Sequence, residues 1–311
     1  RCGPLPSAWG IIEDTLLAMR LAEACGLYHG GYMGALSDEF VAPPLSILDA
    51  RQGYWRDRKG RWADLGLCDA RGRQMCLLPS THAVTGTEGY STVCATMTQT
   101  TSVFDPVLAE VIVTWFSSSG DHILDPFAGG PVRGVVASVL GRRYTGIDVR
   151  PEQVDADVSA SERVHGEHVP LYVIGDSATL IRDMGETYDL VMTCPPYFSL
   201  ETYSDDQHDL SQMDDACFRA SYRSIIGACS DSLVHGGYAA FVVGDMRDRN
   251  GMWRGLPELT VSSFADASMG LYDRITYVQP YGTAALRAGR QFRASRKVVG
   301  VSEQLLVFRK P

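Results

Sequence analysis

From about residue 104 onward, apolar residues fall into short runs of four to six positions. These alternate with longer stretches in which apolar positions recur every third or fourth residue. Short runs bounded by Gly, Pro or Asp predict strands, and the longer spacing predicts amphipathic helices. The order begins with a helix from Phe104 to about Trp115, strand 122–125, helix 131–140, strand Tyr144–Asp148 and a helix opened by Pro151 and running to about Val164. It continues with strand 170–174, a short helix near 178–184, strand 188–193, helix 213–234, strand Tyr238–Gly244, helix 256–269 and strands Ile275–Val278 and Gln304–Phe308. Such alternation predicts an α/β fold: seven strands in a mostly parallel sheet, with helices on both faces. No helix is read between the last two strands, which are therefore expected to pair as an antiparallel hairpin.

The first third of the chain lacks this regularity. Ile11, Ile12, Leu16, Leu17, Met19, Leu21, Ala22 and Cys25 share a helical spacing over Trp9–Cys25, and the glycine-rich stretch Gly26–Gly34 is expected to end that helix. Pro43-Pro44 breaks the chain again, and residues 69–100 are polar, Thr-rich and without period. The division expected is an irregular N-terminal extension over 1–95, a DNA-contacting appendage, followed by a catalytic domain over 96–311.

Composition narrows the class. A hydrophobic content of 45% and a charged content of 21% over 311 residues describe an ordinary globular protein with a sizeable core. No apolar run approaches the ~20 residues of a membrane span, and the start at Arg1 shows no basic-then-apolar signal pattern, so the expected location is the cytoplasm. The cysteines at 2, 25, 68, 76, 94, 194, 217 and 229 form no C-x-x-C pair, which argues against a zinc ribbon and for mostly buried, reduced thiols. A net charge of −9 excludes coating of nucleic acid by bulk electrostatics. Two local basic stretches remain: Arg51, Arg56, Arg58, Lys59 and Arg61, interleaved with Tyr54, Trp55 and Trp62; and Arg287, Arg290, Arg293, Arg296 and Lys297, with no acid among them. Both are candidate phosphate contacts, and a solvated face is the bland alternative for each.

Candidate chemistry concentrates where strands end. The apolar run Tyr188–Met192 leads into Thr193-Cys194-Pro195-Pro196-Tyr197, which sets a carbonyl, a small side chain and an aromatic ring at the carboxyl edge of the sheet. Upstream, strand 122–125 ends in Asp125-Pro126-Phe127-Ala128-Gly129-Gly130, whose glycines allow close backbone approach to a ligand. Asp148 closes the next strand, 23 residues after Asp125, about where a carboxylate meets ribose hydroxyls in a nucleotide-binding unit. Asp176 ends the following strand and serves either an adenine amine or the cap of helix 178–184. The 125–130 block is not G-x-G-x-x-G, and Pro126 removes an amide that a pyrophosphate would need, so a phosphate-free ligand with a sugar and an amino-acid tail fits better than a nicotinamide cofactor.

Taken together these blocks resemble the class I S-adenosylmethionine-dependent methyltransferases, and among them the bacterial and phage DNA amino-methyltransferases, over about 100–311. The resemblance implies that Asp125, Pro126, Phe127, Gly129 and Gly130 bind the methionine part and that Asp148 binds ribose. It implies that Thr101, Ser102 and Phe104 lie beside the methionine end, and that Asp176 and Ser177 complete the cofactor site. It further implies that Cys194, Pro195, Pro196 and Tyr197 form the catalytic block. In this reading the Pro195 carbonyl and side chain 194 accept the two N–H groups of the target amine while Tyr197 stacks on a base flipped out of duplex DNA. Residues 41–66 resemble an extension found in a phage-type subset.

Cys194 departs from the family's Asp, Asn or Ser, because a thiol accepts hydrogen bonds weakly. Near-isosteric with Ser, it favours cytosine N4 over adenine N6, with an RNA substrate or a non-catalytic module that keeps the cofactor pocket as alternatives. Attack by the thiol on a pyrimidine ring carbon is a third chemistry, although the Pro-Cys order of carbon-5 enzymes is missing here. The acidic segment Glu201–Asp209 is expected to be a loop that closes over the site, with His208 a surface residue. About 64 residues separate the two family blocks, too few for a recognition domain. Sequence reading therefore falls to the N-terminal extension, with Arg56 and Arg58 among its groove contacts, to Arg247–Arg254, or to Arg287–Lys297, the last being favoured for phosphate. A homodimer and a companion endonuclease of a restriction-modification pair are partners that the sequence leaves open.

Overall fold

The computed structural model describes residues 31–67, 103–164, 166–198, 204 and 208–311. The chain divides into two compact units, Arg1–Leu45 and Ser46–Pro311. In the first, the described part is helix α1 (Gly31–Phe40), followed by a tight turn in which Leu45 N donates to Pro43 O at 2.8 Å. This helix starts inside the glycine-rich stretch read as an exit loop. The helix formers in Ala35-Leu36-Ser37-Asp38-Glu39 outweigh the glycines ahead of them. The expected helix over 9–25 lies outside the described residues, as do Cys2, Cys25, Cys68, Cys76 and Cys94 and the polar segment 69–100.

The second unit is a single sheet of eight strands: β1 (Ile47–Asp49), β2 (His122–Asp125), β3 (Arg143–Asp148), β4 (Leu171–Ile174), β5 (Tyr188–Thr193), β6 (Leu233–Val243), β7 (Gly270–Val278) and β8 (Ser302–Arg309). Their spatial order is β1-β7-β8-β6-β5-β2-β3-β4, and only β8 runs antiparallel to its neighbours. The helices between them are α3 (Pro106–Phe116), α4 (Val132–Val139), α5 (Pro151–Ser161), α6 (Ser177–Met184), α7 (Asp215–Ser232) and α8 (Leu256–Asp266). Aspartates start three of these helices by accepting backbone N–H groups. Asp105 accepts from Val107 at 2.9 Å, Asp176 from Ala178 at 2.9 Å and Asp214 from Cys217 at 2.8 Å. Helices α3 and α4 pack together, while α6, α7 and α8 cover a core that includes Tyr188, Phe218, Tyr222, Phe241, Phe264 and Phe308.

Three expectations are corrected. An additional helix, α9 (Ala284–Ser295), separates β7 from β8. They pair antiparallel as expected, but not as a direct hairpin. Only Ala284 of α9 is buried, and its apolar positions Ala284, Ala288 and Phe292 are set among the arginines of a stretch read for its charge. Second, the sheet has an eighth strand, because β1 pairs in parallel with β7 through Ile47↔Thr276 and Asp49↔Val278. Third, the segment that follows is helix α2 (Gly53–Asp64), which packs on α3. Residues 46–64, assigned to the extension, therefore belong to the sheet unit, while the expected boundary near 95 lies outside the described residues. Three residues are too short to show a period, and α2 turns only Trp55 and Trp62 inward, one stripe two turns long on an otherwise charged helix.

Strand order reverses between β2 and β5: the chain leaves β2 towards β3 and β4 on one side and returns through β5 to β6 and β8 on the other. Such a switch point leaves a crevice outside the carboxyl ends of the two strands, because the following segments diverge to opposite sides. Both sequence blocks singled out above open into it.

Candidate active site

At the carboxyl end of β2, Asp125 is fully buried and saturated. Its Oδ2 accepts from Arg133 Nε at 2.5 Å and Tyr144 OH at 2.8 Å; its Oδ1 accepts from Thr193 Oγ1 at 2.6 Å and Phe127 N at 3.1 Å. The side chain does not line the cavity, and neither does Gly130. Asp125 therefore positions the loop and ties β2 to the end of β5. Arg133 extends the arrangement by donating from Nη2 to the carbonyls of Phe127 at 2.7 Å and Ala128 at 2.8 Å. Those bonds draw the turn closed around Gly129, whose φ of 56° suits a residue without Cβ.

Asp148 ends β3 and meets the same turn. Its Oδ2 accepts from Gly129 N at 3.0 Å, and its Oδ1 from Arg150 N at 2.9 Å. One β strand over, Asp176 caps α6 with Oδ1 and turns Oδ2 towards His208 Nδ1 at 3.9 Å. Of the two alternatives for Asp176 the cap is present, and the residue also lines the cavity. The Ser177 hydroxyl donates to the Pro126 carbonyl at 2.6 Å and so fastens the β2 loop to the start of α6. The cavity bounded by these loops measures about 360 Å³ and is also lined by Phe104, Phe127, Ile147, Lys59 and Arg133.

The β5 corner closes the cavity. Cys194, Pro195, Pro196 and Tyr197 all line it. The Cys194 Sγ lies 3.4 Å from the Tyr197 hydroxyl, which donates to Glu303 Oε1 at 3.0 Å. The Tyr197 ring rests on Gly244, where a Cβ would come within 3.3 Å of Cε2, so the glycine gives the ring its seat. Burial pushes the Cys194 thiol up to about 12, with the Glu303 carboxylate adding to the rise. It is a neutral thiol near pH 7, which weighs against nucleophilic attack on a pyrimidine ring. Burial also raises the Glu303 carboxyl above the ordinary range, against the lowering effect of its bonds from Tyr197 and Gln279.

The basic stretches separate into internal and surface parts. In α2, Arg58 donates to Glu110 at 3.2 Å, Trp62 Nε1 to the same buried carboxylate at 2.7 Å, and Lys59 to Asp105 at 2.8 Å. Arg58 thus holds α2 on α3 and is not a free groove contact, whereas Arg56 and Arg61 are exposed. Arg254 is likewise committed, donating to Asp215 at 2.6 Å and lying over the Phe198 ring. Arg287, Arg290, Arg293 and Arg296 are exposed on α9 and at its end, with no ion pair to any of them among the described residues; Lys297 is half-buried beside Gly251.

Thr101, Ser102 and most of the acidic segment 201–209 lie outside the described residues. Asp209 is described: it is buried, and its Oδ1 caps a 3-10 turn through Ser211 N at 2.9 Å. Of the described thiols Cys229 is buried, Cys194 half-buried and Cys217 exposed, so the expectation of mostly buried thiols is met by one of three. Sequence reasoning missed Arg133, Gln279 and Glu303 in the lining and read Lys59, which also lines it, as a phosphate contact. An acid just ahead of the apolar run Leu305–Phe308 was the available signal for Glu303.

Strands β2 to β8 lie in the order β4-β3-β2-β5-β6-β8-β7 with β8 reversed, the seven-stranded, mostly parallel sheet expected from the sequence, here widened by β1. Residues 89–159 match the N6_N4_Mtase sequence family, described as DNA methylase. The Type II methyltransferase M2.DpnII of Streptococcus pneumoniae is 51% identical over 45 residues, which is 14% of this chain and 17% of that protein's length. Among solved structures, TrmN from Thermus thermophilus superposes with a TM-score of 0.46 at 16% identity, over 67% of this chain and 49% of its own. The N-methyltransferase NodS from Bradyrhizobium japonicum, in complex with S-adenosyl-L-homocysteine, gives 0.41 at 16% identity over 66% and 83%. No helix among the described residues is long and apolar enough to cross a membrane.

Proposed function

We propose that this protein transfers a methyl group from S-adenosylmethionine to an exocyclic amine of a base in DNA, with N4 of cytosine as the favoured acceptor. The observation that carries the proposal is the meeting, in one cavity at the switch point, of the Gly129 turn and the Cys194-Pro195-Pro196-Tyr197 corner. The DNA methylase match over 89–159, which includes the β2 turn and Asp148, supports the same reading.

The residues present suit this cofactor. Asp148 would accept from the ribose hydroxyls and Asp176 from the adenine amine. Phe104, Phe127 and Ile147 offer apolar surface, and Arg133 and Lys59, paired with Asp125 and Asp105, also line the cavity. When bound, the cofactor supplies an electrophilic methyl carbon on a sulfonium sulfur that keeps the electron pair of the breaking bond. The protein's part is to hold the amine in line and reduce conjugation of its lone pair with the ring. The Pro195 carbonyl would accept one N–H, and the Tyr197 ring would offer a stacking face to the flipped base.

The test is incubation of the protein with S-adenosylmethionine carrying a labelled methyl and duplex DNA of mixed sequence, followed by digestion to nucleosides and mass spectrometry. Label in N4-methylcytosine is the expected result. Label in N6-methyladenine keeps the mechanism and overturns the base assignment. Label only in RNA moves the substrate class, and no label with cofactor binding intact favours a non-catalytic module.

A further inference from the structure

Resting on the amino-methylation just proposed, one question is left by the sequence: position 194 holds a thiol, a weak acceptor, where the reaction needs a group to take a proton from nitrogen. We infer that Glu303, on the last strand of the sheet, is the group that accepts the proton of the target amine. Four observations carry this. Glu303 lines the cavity together with Cys194, Pro195 and Tyr197. Its Oε1 accepts from the Tyr197 hydroxyl at 3.0 Å, and that hydroxyl lies 3.4 Å from Cys194 Sγ, so the carboxylate is two contacts from the position expected to face the amine. The antiparallel β7–β8 pairing sets Glu303 opposite Tyr277, which also lines the cavity, so a residue 106 positions beyond Tyr197 is carried to the same wall. Finally, no cation forms a salt bridge with it among the described residues. The titratable groups facing it are Tyr197 and Cys194 from the β5 corner and Tyr277 from β7, none of them a base that would neutralise it.

The step balances simply. As nitrogen gains its fourth bond it becomes cationic; the electron pair of one N–H bond returns to nitrogen, the proton passes to Glu303, and Glu303 releases it to water. Burial already raises this carboxyl above its ordinary range, which brings its basicity closer to that of a useful general base. Gln279, whose bond to the carboxylate opposes that rise, holds the carboxylate in place.

Glu303→Gln distinguishes a proton acceptor from a structural strut, because glutamine keeps an oxygen for Tyr197 and loses only the basicity. The expected result is a drop of about 100-fold or more in the single-turnover rate of methyl transfer to DNA, with S-adenosylhomocysteine affinity by calorimetry unchanged. The wild-type rate should fall as pH is lowered through the raised carboxyl value, and Glu303→Gln should lose that acid limb. Without cofactor, the tyrosine absorption difference between wild type and Tyr197→Phe should titrate over the same pH range, and the titration should vanish in Glu303→Gln. An active wild type whose Glu303→Gln variant keeps both rate and acid limb overturns the role of Glu303 alone. A wild type that binds S-adenosylhomocysteine and methylates no nucleic-acid amine overturns the amino-methylation reading, and the role of Glu303 with it.

Discussion

Asp125 shows how a single side chain can serve a site without facing it. Its four hydrogen bonds bring together β2, the Gly129 turn, Arg133 of α4, Tyr144 of β3 and Thr193 at the β5 corner. Exchange for Asn removes the charge that balances a buried guanidinium while conserving shape. Breaking a buried pair in this way costs about 3–5 kcal/mol, because Arg133 is left without its counter-charge. Asp125→Asn is therefore expected to lower the unfolding free energy by that order, measured by urea denaturation. A variant as stable as wild type would show that the Phe127 and Ala128 carbonyls suffice for Arg133. The presence of an acid at 125 was legible in the sequence, but its function was not. The D-P-F pattern marks where the turn is, whereas the partners that saturate the carboxylate come from residues 8, 19 and 68 positions away.

At the scale of elements, α2 and α9 were read from charge and differ in what that charge does. In α2 the two tryptophans at i and i+7 pull one face against α3, and Arg58 and Lys59 are spent on Glu110 and Asp105. In α9 the arginines at 287, 290 and 293 recur every three residues and share one exposed face without acidic partners among the described residues. Net charge over a window is the same kind of signal in both; only packing distinguishes them. Changing Arg290 and Arg293 together to Ala is expected to weaken binding to DNA across sequences and to reduce the slope of log affinity against log salt by about 2, with cofactor affinity unchanged. Fluorescence anisotropy at several salt concentrations measures both, and an unaltered slope would remove α9 from the DNA surface.

For the sheet unit as a whole, the switch point between β2 and β5 converts loops distant in sequence into one cavity. Binding there should stabilise the fold by mass action, about 2.7 kcal/mol when free ligand exceeds Kd a hundredfold. S-adenosylhomocysteine is expected to raise the melting temperature of the wild type, and Asp148→Asn to lose most of that rise, because it weakens the acceptor proposed for the ribose hydroxyls. An equal rise in both proteins would place the ligand elsewhere.

The alternation of apolar runs and helical spacing determined seven of the eight strands and the helices between β2 and β7, because central strands such as β2 and β5 are buried as continuous apolar runs and a helix such as α7 buries residues at helical spacing, both local patterns. Asp148, Asp176 and the Cys-Pro-Pro-Tyr corner were visible for a similar reason, since each sits at the end of an element whose boundary is a local matter. Tertiary structure alone decided the rest. Short β1 gains its place from β7, α9 is a helix with almost no buried face, Arg58 and Arg254 are consumed by acids of other elements, and Glu303 of β8 meets Tyr197 of the β5 corner beside the end of β6. A local pattern records what a segment does with its own faces. Pairing between segments a hundred residues apart depends on the order in which strands are laid side by side, and that order is set by the packing of the whole sheet.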